Sequence, residues 1–83
     1  MQKSDFELAP GFYWDTDFGM HFACERGKSW KEASHAAIGY QGRFEVYANG
    51  SDADFVCLDT PAEVRAWYAA HPDVTCPFVW GEQ

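Results

Sequence analysis

Long apolar runs are missing from this 83-residue chain, and so are the paired cysteines of a disulfide scaffold. No segment approaches the roughly 20 apolar residues that a membrane-spanning helix needs. Met1-Gln2-Lys3-Ser4-Asp5 is followed by no apolar stretch and does not read as a secretory leader. The three cysteines, Cys24, Cys57 and Cys76, are an odd number and close no framework among themselves. A cytoplasmic setting with reduced thiols is therefore expected. Basic residues are also scarce: six Lys and Arg stand against thirteen Asp and Glu, a formal net charge of −7. That balance repels nucleic-acid phosphates and, for the same reason, anionic membrane surfaces. The partner it favours is a protein with a basic surface.

Catalytic and metal-binding signatures are absent as well. His21-x-x-Cys24 and His71-x₄-Cys76, with Cys57, offer the soft donors that zinc prefers. No Cys-x-x-Cys knuckle accompanies them. On a strand, His21 and Cys24 differ in parity and point to opposite faces. No local signature of a cysteine nucleophile surrounds any of the three thiols. Asp15-Thr16-Asp17 begins like a calcium loop, but no Glu stands at the twelfth position, and a turn in which the Asp side chains bond the local backbone is expected instead. Gly27-Lys28-Ser29 echoes the end of a phosphate loop, but Phe22 occupies the place of its first glycine. The expectation is a protein with no enzymatic activity, no metal and no cofactor.

Aromatic residues are abundant: four Trp, four Tyr and seven Phe. A single domain spanning residues 1–83 is short of core, because a chain this small buries only about 60–65% of its unfolded surface. Each aromatic side chain buries roughly 150–250 Å², so aromatics enlarge such a core. Exposed ones serve instead as contact anchors.

Periodicity places the elements. Thr60-Pro61-Ala62-Glu63 supplies an N-cap, a proline at the first helical position and a carboxylate three residues after the cap. Val64, Trp67, Tyr68 and His71 follow on one face, and Pro72 ends that helix over 60–71. Ser29 and Glu32 form a second capping-box pattern, with Trp30, Ala33, Ala37 and Ile38 at helical spacing and Gly39 as a stop. Lys28, Lys31 and His35 fall on the solvated side of this helix over 29–38. Alternation predicts strands at 18–24, 42–48, 53–58 and 75–80. Asn49-Gly50 marks a hairpin, and a four-residue loop pairing Val46 with Phe55 and Phe44 with Cys57 avoids setting Glu45 against Asp54. Phe55-Val56-Cys57-Leu58 is apolar on both faces and reads as a central strand. Pro77 marks 75–80 as an edge strand.

The resulting order is βαββαβ, an α+β fold of ferredoxin-like type with two helices on one face of an antiparallel sheet. Phe12-Tyr13-Trp14 is either a loop or an extra N-terminal strand. The alternative is a four-stranded meander of type ββαββα.

A hairpin feeding Asp59-Thr60-Pro61-Ala62-Glu63-Val64-Arg65-Ala66-Trp67-Tyr68, in a tiny acidic aromatic-rich domain, resembles small phage or prophage accessory proteins of the anti-CRISPR type. The resemblance implies a non-enzymatic inhibitor acting in the host-cell cytoplasm. Such a protein blocks the basic nucleic-acid-binding surface of a CRISPR effector complex. The contact residues expected from the sequence are Glu45, Asp52 and Asp54, with Tyr47 as aromatic anchor on the same strand face. Tyr13 and Trp14 come second. A subunit that assembles with copies of itself, such as a homodimer, and a small-ligand-binding domain using His21, His35 or His71 are the alternatives.

Overall fold

Alternation of side chains across a pleated backbone accounts for most of the molecule. The computed structural model describes residues 1–39, 41–47 and 55–80. After a 3₁₀ turn at Lys3–Asp5 come β1 (Glu7–Leu8), β2 (Phe12–Asp17) and β3 (Met20–Glu25). Helix α1 (Trp30–Ala33) then leads directly into β4 (Ser34–Gly39). Strands β5 (Phe44–Tyr47) and β6 (Phe55–Leu58), helix α2 (Pro61–Ala70) and β7 (Phe78–Val79) complete the order. Five strands form one antiparallel meander, β2-β3-β4-β5-β6, and β1 pairs with β7 in a separate two-stranded sheet.

The ferredoxin-like βαββαβ expectation is therefore wrong. Two helices were needed, and among the described residues α2 alone runs beyond a single turn. The Ser29–Glu32 pair does start a helix, and Ser29 N donates to Glu32 Oε2 at 3.4 Å. At Ser34 the backbone turns extended, with φ −90° and ψ 136°. The next six residues become the middle strand of the sheet. Ala33, Ala36, Ala37 and Ile38 suit a helical face, but they suit a doubly buried strand equally well. Ala36 and Ala37 point to opposite faces, and both are fully buried. Burial of both faces outweighs the helix propensity of alanine. His35, expected to be solvated, is buried. The register between β3 and β4 shifts at Ala23/Cys24, and His35 Nε2 lies 3.0 Å from Glu25 Oε1.

Two strand assignments also change, and one left open is decided. Phe12-Tyr13-Trp14 is a strand and pairs with β3 through Tyr13↔Cys24 and Trp14↔Ala23. Strand β6 lies at the end of the meander rather than at its centre, with Phe55 and Val56 exposed. Its register is Tyr47↔Phe55, Val46↔Val56, Glu45↔Cys57 and Phe44↔Leu58, not the expected one. The hairpin signal Asn49-Gly50 falls outside the described residues. Only Phe78–Val79 of the expected 75–80 strand is a strand, and it pairs with β1 and not with the main sheet.

The core lies on one face of the meander. Ala23, Ala36, Ile38, Phe44 and Val46 meet Val64 and Tyr68 of α2, together with Phe6 and Phe78. The rings of Phe6 and Phe78 are 4.8 Å apart, and those of Phe6 and Phe44 are 5.1 Å apart. Helix α2 is held at its start by Thr60, whose Oγ1 accepts from Glu63 N at 3.2 Å. It ends at Ala70, with the non-helical C-cap His71 directly before Pro72.

Candidate protein-binding surface

Strand alternation leaves a second face on the meander, away from α2. The registers carry Asp15, Phe22, Ala37, Glu45 and Cys57 across the five strands in one row. Tyr13, Cys24 and Tyr47 project on the same side. Phe22, Cys24, Ala37 and Tyr47 form a small buried cluster there, with Tyr13, Met20 and Trp30 packed against it. Burial, with Asp15 nearby, pushes the Cys24 thiol up to about 11, so it stays protonated at neutral pH.

The segment between β3 and β4 folds back over this face and lays Trp30 on it. Trp30 stacks on Phe22 with centroids 5.0 Å apart and planes 17° from parallel. Two carboxylates clamp it: its backbone N donates to Asp15 Oδ2 at 3.0 Å, and its Nε1 donates to Asp17 Oδ2 at 2.9 Å. The run Asp15-Thr16-Asp17, which the sequence suggests is a turn, is therefore the strand that positions a tryptophan.

The turn lies one residue later. Phe18 and Gly19 both have positive φ, 51° and 72°, as a two-residue type I′ hairpin turn requires. Asp17 Oδ1 accepts from Phe18 N at 2.9 Å and supports the turn. Phe18 is 73% exposed and meets Trp30 edge-on at 5.6 Å. A non-glycine residue in this conformation costs of order 1 kcal/mol, and Asn or Asp would bear it more easily. Lys31 Nζ sits 5.6 Å from the Trp30 ring.

The contact residues expected from the sequence are divided by the fold. Glu45 and Tyr47 share the second face, but Tyr47 is buried and does not protrude as an anchor. Its hydroxyl donates to Glu45 Oε1 at 2.6 Å, and Arg43 pairs with Glu45 at 3.5 Å. Tyr13 reaches the same face and donates its hydroxyl to Lys28 O. Trp14, one residue on, faces the core side and lies 5.9 Å from Phe78. Asp52 and Asp54 are outside the described residues. Phe55, which alternation assigns to the core, is instead exposed. Phe18 was missed. The glycine following it, at the junction of two alternating runs, signals a turn there but not how far the ring protrudes.

The candidate soft ligands are dispersed. His21 Nδ1 lies 2.8 Å from Thr16 Oγ1 on the core side, while Cys24 is buried on the other. His71 stacks on Trp67 at 4.0 Å and donates from Nδ1 to Trp67 O at 2.8 Å. Among the described residues no three His, Cys, Asp or Glu side chains gather as a metal site. A hollow of about 530 Å³ lies between Met1–Ser4 and Trp14, His21, Ile38 and Gly39. No helix among the described residues is long and apolar enough to cross a membrane. No family model, curated protein or solved structure matches the chain.

Proposed function

We propose that this protein acts by binding another protein, as an acidic inhibitor without chemistry of its own. The exposed, strained Phe18 at the tip of the β2–β3 hairpin carries this reading. Strain kept at an exposed aromatic is a recurring mark of a contact site. The Trp30 ring beneath it, fixed by Asp15 and Asp17, gives Phe18 a rigid base. Rigid aromatic anchors supply most of the binding energy at interfaces, and surrounding charge steers the encounter. With a net charge of −7, the partner is a basic surface bearing an apolar pocket. The resemblance to anti-CRISPR proteins makes the nucleic-acid channel of a CRISPR effector complex the specific candidate.

Purified effector complexes titrated with the protein should lose affinity for their target nucleic acid. Phe18→Asn should abolish that inhibition while leaving the thermal midpoint unchanged or higher, because asparagine tolerates the positive φ. Inhibition that survives Phe18→Asn would remove the hairpin tip from the mechanism. A panel of complexes none of which responds to the wild-type protein would remove the effector as the target.

A further inference from the structure

We infer that strand β6 is a self-association edge, through which a second copy of this chain continues the sheet. The direction of its backbone groups follows from the ladder. Gly39 N donates to Arg43 O at 2.8 Å, so 39↔43 is a bonded pair, and so, two residues on, is Ala37↔Glu45. Phe44 and Val46 then direct their amides to β6, where their partners are Leu58 and Val56. Phe55 and Cys57 are left with N–H and C=O pointing away from the sheet. Exposed strand edges ordinarily carry charge or proline that blocks further pairing. The other end strand, β2, carries Asp15 and Asp17. Strand β6 carries neither a charge nor a proline, and Phe55, Val56 and Cys57 are exposed.

The side chains select a second copy as the occupant. An antiparallel partner related by a two-fold axis at Cys57 pairs Cys57 with Cys57, Val56 with Leu58 and Phe55 with Asp59. All the outward-facing groups then meet outward-facing groups. The Arg43 guanidinium lies over the Phe55 ring at 5.9 Å and 2.7 Å from Cys57 Sγ. It therefore stands where Asp59 of the second copy arrives, and the two-fold repeats this opposite-charge contact. Like surface patches meet in such an isologous interface, so one self-complementary strand suffices. Phe18 belongs to a different hairpin, so this inference is independent of the proposed function.

Light scattering after size exclusion, at about 100 μM and 0.15 M salt where unlike charges beyond about 8 Å are screened, should give the mass of two chains. Cys57→Lys sets two ammonium groups opposite each other and should halve that mass. Cys57→Ser should leave it at two chains. Paired Cys57 residues would have Cα atoms about 5.5 Å apart, within disulfide range. Diamide, which takes two electrons and two protons from the two thiols, should therefore join wild-type chains through Cys57 and fail with Cys57→Ser. Asp59→Lys, which lies outside the strand, should also weaken the dimer. A wild-type mass of one chain would overturn the inference and leave the edge to a foreign strand. A dimer that Cys57→Lys leaves intact, or that diamide does not join, would overturn it equally.

Discussion

Tyr68 of α2 buries its hydroxyl with no hydrogen-bond partner among the described residues. Desolvation, with Cys76 nearby, raises its phenol above the ordinary value. The other tyrosines of the sheet are treated differently: Tyr47 donates to Glu45 and Tyr13 to the Lys28 carbonyl. A buried unsatisfied hydroxyl costs about 1–3 kcal/mol, whereas its removal leaves the ring contacts intact. Tyr68→Phe should therefore stabilise the fold by about 1 kcal/mol, which in a domain of this size raises the melting temperature by roughly 4–8 °C. Calorimetry checks this, and a lower midpoint would mean that the hydroxyl is bonded in solution. At this scale the sequence is informative about identity and poor about exposure. Tyr47 and Phe18 are both aromatic residues near carboxylates. Nothing in their neighbours tells which is buried and which protrudes.

At the scale of elements, the β4–β5 connection rests on glycine. Gly42 has φ +84°, and a Cβ there would come within 2.7 Å of Met1 N. The Met1 ammonium group donates to Gly42 O at 2.9 Å, so the start of the chain packs against this turn. Gly42→Ala combines left-handed strain with a clash against backbone and should destabilise by at least about 1 kcal/mol. Chemical denaturation measures the loss, and an unchanged midpoint would show that the turn can relax. Helix α2 was legible because its signals are local: a Thr60 cap, Pro61 at the first turn and Pro72 after the end. Strand β4 was not. Its apolar spacing fits a period of 3.6 and, when both faces are buried, fits a strand too. The capping box at Ser29 reports where a helix starts and is silent on where it stops.

At the scale of the molecule, acid tests the coupling between strands. Glu25 at the end of β3 accepts from His35 in β4 and pairs with Lys28 at 3.5 Å. The bond from His35, then the charge of Lys28, holds its carboxyl below the ordinary range. A carboxyl with a lowered pKa in the fold stabilises above its unfolded value, near pH 4.3. That contribution is lost as pH falls through the folded value. The stability difference between wild type and Glu25→Gln should therefore be present at pH 6 and shrink as the pH falls below about 4. Urea titrations across that range measure it, and a difference constant in pH would show that the Glu25 charge adds nothing.

The sequence by itself determined the net charge of −7, the aromatic stock of the core, the capped α2 helix and the alternation of β3 and β5. These are properties of composition or of neighbours within a few residues. Tertiary structure decided that residues 34–39 form the middle strand, because only packing on both sides distinguishes a doubly buried strand from a short helix. It also decided that β6 lies at the end of the sheet, since strand order depends on which distant segments pair. Packing of Trp30 against Phe22 and Asp17 then left Phe18 exposed at a strained turn. Exposure is set by what the rest of the chain covers, and no local pattern records it.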